Sequence, residues 1–261
     1  MNYDTTPQTI FVTGGGRGIG RAVALDLTQS TSASLVLVSR TANCSAVAAE
    51  CNALRPGAAR AMPCDLAKPS TARDELFAAL NDAPGPIGLV HAASTLGPTG
   101  PFAEVAIDEC WNAIETNLGA TIRLVHAALP RLVRERAGRV VLFGGGGAAY
   151  GYPNFVSYAL TKVALVRFAE TLAMELGNDG ATITIIAPGA NDTDMLAEVR
   201  KAGGIVKTTV SIEEPCRLVR RLLSEDARGL HGRFVHVRDP WTSESARELP
   251  PDHWKLRRVE K

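Results

Sequence analysis

The chain has 261 residues, a length that suits one large α/β domain and leaves little for a second. At 46% hydrophobic and 21% charged it can bury a substantial core, which argues against disorder. A net charge of +1 supplies no field to gather nucleic acid or an anionic membrane, and no apolar run reaches the length of a bilayer span.

Strands and helices alternate from end to end, with no internal repeat, which predicts a parallel sheet covered on both faces. The first strand, Thr9–Thr13, is β-branched and aromatic and stops at Gly14-Gly15-Gly16-Arg17-Gly18-Ile19-Gly20. An apolar helical pattern (Ile19, Val23, Ala24, Leu27) follows, so the run reads as strand, tight turn and helix. Ser34–Ser39 is a nearly continuous apolar run, as a parallel strand buried on both faces should be. A helix over 45–54 stops before Pro56, a third strand over 59–64 ends at Asp65, and Ser70 is placed to cap a helix over 70–80. The fourth strand is 87–92. A connection rich in Gly and Pro (Gly97, Pro98, Gly100, Pro101) then leads to a long helix, 107–136, which Pro130 is expected to bend or end early. Arg139–Phe143 is the fifth strand and runs into Gly144-Gly145-Gly146-Gly147. A helix over 155–176, a sixth strand Thr182–Ala187, a short helix or lid over 192–202, a helix over 211–223 and a seventh strand over 233–237 complete the pattern. The tail, 239–261, is rich in Pro, Trp and charge and fits no single element. Cys44, Cys51, Cys64, Cys110 and Cys216 are odd in number and lack C-x-x-C spacing, so they read as buried or free thiols of a reducing compartment and predict no metal site. With a polar start, Met1 to Gln8, they point to a cytoplasmic protein.

The glycines after the first strand let the backbone turn and come close to a ligand. The helix that opens at Gly18 aims free N–H groups and a positive dipole end at the turn, where a pyrophosphate can sit. An ordinary Gly-rich turn would use the same residues, so the remaining motifs decide. The spacing T-G-x-x-x-G-x-G, with Gly14, Gly18 and Gly20, resembles the nucleotide loop of the short-chain dehydrogenases/reductases, and the likeness runs over about 9–237. It implies a Rossmann-like, doubly wound α/β domain with a seven-stranded parallel sheet. It also implies a nicotinamide cofactor held by Gly14, Gly16, Arg17, Gly18, Ile19 and Gly20.

In a dinucleotide fold, an acidic residue ending the second strand holds the ribose of NAD, and a basic one accommodates the 2′-phosphate of NADP. Here the strand ends Val38-Ser39-Arg40, and Arg17 adds a second guanidinium, so NADP(H) is the expected cofactor. Two ordinary surface arginines are the plain alternative. Asp65 and Leu66 resemble the family's adenine contact, although a surface Asp in a turn would look the same. His91-Ala92-Ala93-Ser94 stands where the family has Asn-Asn-Ala-Gly; Ala92 is expected beside the cofactor, while His91 reads as a partnered strand-end histidine. Pro188, Gly189 and Thr193 resemble a P-G-x-x-x-T-x-M segment, in which the Thr meets the nicotinamide carboxamide.

Tyr158 and Lys162 are four residues apart in a helical stretch and so share one face. A phenol near its ordinary pKa of ~10 is a poor proton carrier, and a neighbouring ammonium is expected to lower that value. The pair can then give a proton to a carbonyl or take one from an alcohol. Lys162 is also expected to hold the nicotinamide ribose. Asn117, in Glu115-Thr116-Asn117-Leu118, is mildly unfavourable inside a helix, which suggests a local irregularity and a bound water. The resemblance implies that this Asn connects the catalytic Lys to solvent.

One departure stands out. The family's catalytic serine lies thirteen residues before the tyrosine, and that position is Gly145. Losing one such donor typically costs about 10²–10³ in rate. A nearby hydroxyl (Ser94, Tyr150, Tyr152 or Ser157), a water or the substrate itself would have to replace it, with Gly145 and Tyr152 shaping the substrate end. The expected activity is NADPH-dependent reduction of a carbonyl, or oxidation of the alcohol, in a small organic substrate. Tyr158, Lys162 and Asn117 form the catalytic set. The alternatives are a nucleotide-binding protein that has lost catalysis and a non-redox dehydratase or isomerase. The wide apolar stripes of the helices over 107–136 and 155–176 predict a homodimer or homotetramer, with no nucleic-acid or membrane partner.

Overall fold

The computed structural model describes residues 7–178, 180–206, 208–242 and 248–257. Seven described strands form one parallel sheet: β1 (Thr9–Thr13), β2 (Ser34–Ser39), β3 (Ala59–Pro63), β4 (Ile87–His91), β5 (Arg139–Phe143), β6 (Thr182–Ala187) and β7 (Phe234–His236). Their order across the sheet is β3-β2-β1-β4-β5-β6-β7. The order reverses between β1 and β4, which pair in register from Thr9↔Ile87 to Thr13↔His91. Connections from those two strands leave in opposite directions and open a crevice at the sheet's C-terminal edge, where doubly wound folds bind ligands.

Side chains alternate across the sheet and feed two cores. Ile10, Val12 and Val90 face α1 (Gly18–Ser30), α2 (Asn43–Leu54) and α9 (Glu213–Leu222). Phe11, Leu89 and Leu142 face α3 (Thr71–Asp82), α5 (Ala120–Glu135) and α7 (Val156–Leu176). Ser70 caps α3 by accepting from Arg73 N at 3.2 Å, as expected. The remaining helices are α4 (Ile107–Ile114), α6 (Gly146–Ala149) and α8 (Asp194–Lys201), with a 3₁₀ turn at Glu225–Leu230. No described helix is long and apolar enough to cross a membrane.

The long helix over 107–136 needs two corrections. It is broken by a π-helical turn, Glu115–Gly119, centred on Asn117, which is the irregularity that residue suggested. Pro130 does not end it: α5 runs on to Glu135. Pro130 is exposed, so the backbone bond it forfeits faces water, while Leu124, Ala128 and Leu132 stay buried against the sheet. The four-residue α6, which begins in the glycine run and ends at Ala149, is an addition to the expected pattern. The described part of the tail also gains a place. Trp254 O accepts from Phe234 N at 2.7 Å, and Arg233 donates to Leu249 O and Pro250 O at 3.1 and 3.0 Å. The tail thereby covers the edge strand β7, a position that would otherwise invite pairing with another chain.

Candidate active site

Connections leaving the C-terminal ends of β1 to β6 line one cleft of about 410 Å³. At one end stand Ser39 and Arg40 after β2, and Asp65 and Leu66 after β3, with Gly14, Gly16, Arg17, Gly18, Ile19 and Gly20 between them and the sheet's centre. The glycine loop is packed as a close-approach turn must be. A Cβ on Gly14 would lie 2.7 Å from Ala93 N, and one on Gly20 would lie 2.2 Å from Gly14 O. Arg17, the N-cap of α1, makes no side-chain capping bond, and the helix's first turn carries no acid. Its free N–H groups are therefore left for an anion, which fits the phosphates of a dinucleotide. Arg17 pairs with Asp194 at 3.5 Å, both exposed.

Ala92, Ala93, Ser94, Thr116, Phe143, Gly144 and Pro188 line the other end, with Tyr158 and Lys162 of α7. Lys162 Nζ donates to Phe143 O at 2.9 Å and lies 5.4 Å from the Tyr158 ring centroid. Burial dominates the electrostatics of this pair. It pushes the Tyr158 phenol up to about 12, with Tyr152 adding to the rise, and it pushes Lys162 down to about 8. The expected lowering of the phenol is thus reversed, because burial disfavours the phenolate and Tyr152 adds to the rise.

Asn117 is buried behind the cleft and does not line it. Its Oδ1 accepts from Thr95 N at 2.8 Å and from Ser94 Oγ at 3.1 Å. Its Nδ2 donates to Thr95 O at 2.8 Å and Thr161 Oγ1 at 3.2 Å. Asn117 therefore ties the segment after β4 to α7, and a structural anchor explains the π-turn that frees its side chain. His91 has the partner expected of it: Nδ1 lies 2.7 Å from Thr13 Oγ1. Burial, then Lys162, pushes His91 down to about 3, so the imidazole is neutral. Thr193 lines the cleft but also caps α8, accepting from Leu196 N at 3.4 Å. Gly189 does not line the cleft; a Cβ there would meet Val210 Cγ2 at 2.5 Å, so its smallness serves packing.

Gly145 stands beside Tyr158, its φ at +142°. Of the four hydroxyls considered as substitutes for the serine, three are engaged or turned away. Ser94 gives its proton to Asn117. Ser157 is buried beside Gly97 and does not line the cleft, although its Oγ has no hydrogen-bond partner among the described residues. Tyr150 is 79% exposed. Tyr152 packs in one apolar cluster with Tyr158 and stacks on Phe155 at 4.4 Å, although it does not line the main cleft. Asp194, Met195 and Thr116 join the site without having been singled out. Asp194 and Met195 follow Thr193, and Thr116 precedes Asn117, so adjacency to those motif residues was the available signal. The described residues hold no group of three or more His, Cys, Asp or Glu that would suit a metal ion.

The short chain dehydrogenase family model matches residues 8–203. The chain belongs to this family. It is 32% identical over 138 residues to the 3-oxoacyl-[acyl-carrier-protein] reductase FabG of Escherichia coli, a stretch covering 50% of this chain and 57% of that protein. The match to that relative thus spans little more than half its length. FabG of Aggregatibacter actinomycetemcomitans is 34% identical over 195 residues, 73% of this chain and 79% of that protein. A Beutenbergia cavernae structure, described as a putative NAD(P)-dependent gluconate 5-dehydrogenase with bound NADP, superposes with a TM-score of 0.83 at 25% identity. That superposition covers 93% of this chain and 99% of the other.

Proposed function

We propose that this short chain dehydrogenase is an NADPH-dependent carbonyl reductase with Tyr158 as the general acid. The observation that carries the reading is the buried Tyr158–Lys162 pair on one face of α7, opening into a cleft whose far end is a glycine loop and an uncapped helix N-terminus. Arg40, with Ser39 beside it and Arg17 in the loop, supports a 2′-phosphate and so NADP(H) over NAD(H). Ala92, Pro188 and Thr193 are the residues to flank the nicotinamide end, and Asp65 and Leu66 the adenine. When bound, the cofactor supplies a hydride to the carbonyl carbon.

The chain's own residues do the rest. Tyr158, held protonated by burial, donates its phenolic proton to the carbonyl oxygen as the C–H bond forms, and the product is the alcohol. Lys162 stabilises the tyrosinate that remains with its positive charge, then returns a proton to it and is itself reprotonated from solvent. Asn117 acts as a positioning residue, since it fixes both the wall at Ser94 and Thr95 and the helix that carries the pair. A water, a neighbouring hydroxyl or the substrate itself takes the role of the absent serine hydroxyl, and Gly145 leaves room beside Tyr158 for the substrate. Five buried, unpaired cysteines suit a cytoplasmic setting.

The test is NADPH oxidation across a panel of carbonyl compounds, with Tyr158→Phe and Arg40→Ala alongside. Turnover by the parent, its loss in Tyr158→Phe, and weakened NADPH but unchanged NADH binding in Arg40→Ala are expected. No turnover of any carbonyl or alcohol by a parent that binds NADPH would replace the enzyme by a nucleotide-binding protein.

A further inference from the structure

Two arginines line the adenosine side of the cleft, and they are held differently. Arg40, after β2, is exposed and forms no ion pair with another described residue. Arg17, in the glycine loop, is already engaged: its Nη1 lies 3.5 Å from Asp194 Oδ2 of α8. Backbone packing brings the two together. A Cβ on Gly18 would lie 3.6 Å from Thr193 Cγ2, so the first turns of α1 and α8 meet here. Thr193 caps α8, accepting from Leu196 N at 3.4 Å, and so fixes the backbone at Asp194, the first residue of that helix. The first turn of α1 has no acid of its own, and Asp194 brings one to its N-cap residue from another connection. Asp194 also lines the cleft.

A phosphate that pairs with the Arg17 guanidinium must first take it from the Asp194 carboxylate. A ligand that needs a state only partly populated binds more weakly in proportion to that fraction. The carboxylate left behind still faces the cleft and opposes the incoming negative charge. A cofactor without a 2′-phosphate makes no such demand and leaves the pair intact. We propose, resting on the NADP(H) reading above, that Asp194 is a specificity-determining residue: by holding Arg17, it lessens the advantage of a cofactor with a 2′-phosphate over one without. The two side chains are 59% and 75% exposed, so the hold is that of a surface ion pair and the effect is a few-fold. Arg40 thus contributes its charge to the discrimination in full, and Arg17 only in part.

The test uses adenosine 2′,5′-bisphosphate and 5′-AMP, which differ only in the 2′-phosphate and lack the nicotinamide end. Both are titrated calorimetrically into the full chain, so the result does not depend on turnover. Asp194→Asn removes the charge at nearly constant shape, and both side chains of the pair lie outside the cores. The substitution should raise the ratio of bisphosphate to 5′-AMP affinity by about 2- to 5-fold, the worth of an exposed ion pair. Arg17→Ala should lower the ratio, and adding Asp194→Asn to it should change the ratio no further. A ratio that Asp194→Asn leaves unchanged or lowers, in a protein whose parent prefers the bisphosphate, overturns the proposal and leaves the NADP(H) reading standing. The same rise in the Arg17→Ala background also overturns it, because Asp194 would then act without Arg17. A parent that binds the two adenylates alike faults the NADP(H) reading itself, and the proposal falls with it.

Discussion

A Cβ built on Gly145 would stand 3.2 Å from Tyr158 Oη, and the φ of +142° at Gly145 is one that side-chain-bearing residues rarely adopt. Glycine at position 145 is therefore built into this backbone, and the serine that the family resemblance leads one to expect there does not fit it as it stands. Gly145→Ser should cost stability, by about 1–3 kcal/mol of backbone strain, and should lower turnover rather than raise it by the ~10²–10³ that an oxyanion donor is worth. Denaturant unfolding and NADPH oxidation measure both. A faster enzyme of unchanged stability would show that the loop relaxes and that the site lacks only a hydroxyl.

The pH profile should report Lys162. Burial lowers its pKa from 10.5 to about 8, so the ammonium is present below that pH and lost above it. Tyr158, at about 12, stays protonated throughout. The rate of carbonyl reduction should hold steady at neutral pH and fall as pH rises past about 8. A rate that stays level up to pH 10.5 would mean the lysine keeps its ordinary affinity for protons.

Acid should destabilise the protein through His91. Its pKa is about 3 folded and 6.5 unfolded, so between those values the unfolded chain binds more protons and stability falls as pH drops. At pH 5 the loss from this one group is about 2 kcal/mol relative to neutral pH. His91→Asn, tested by denaturant midpoints at pH 7 and 5, should show a smaller difference between the two than the parent. An equal difference would assign the acid sensitivity elsewhere.

Assembly follows from residues the fold leaves bare. Trp111 and Ile107 on α4, Ile122 and Val133 on α5, and Val156, Leu160 and Val163 on α7 are exposed large apolar side chains. A two-fold pairing of these helices would bury them. Light scattering at micromolar concentration should give a dimer or tetramer, and a monomeric mass would contradict this.

The sequence made some of this legible and hid the rest for physical reasons. Thr9–Thr13, the glycine loop and α1 are local: a β-branched run, a turn that only glycine can make, and an apolar stripe each carry their own signal. Tyr158 and Lys162 could be placed side by side from helical spacing alone. Their protonation could not, because it depends on burial that the spacing does not encode; the expected lowering of Tyr158 was wrong in sign. Asn117 hinted at an irregular helix, yet its partners Thr95 and Thr161 lie far away in sequence and emerge only on folding. The apolar cluster on which Tyr158 packs gathers Leu96, Tyr152, Phe155, Met195 and Val199 from separate parts of the chain, so no window of sequence contains it.

In the proposed reaction Tyr158 gives a proton to a carbonyl while the cofactor gives the hydride. It is tested most directly with NADPH deuterated at the transferring C4 position, by following the label into product by mass spectrometry. The parent should place one deuterium on the carbinol carbon, and Tyr158→Phe should form almost none of that product while binding the cofactor unchanged. Deuterium transfer by Tyr158→Phe at the parent's rate, or a reduced product without the label, would contradict the account.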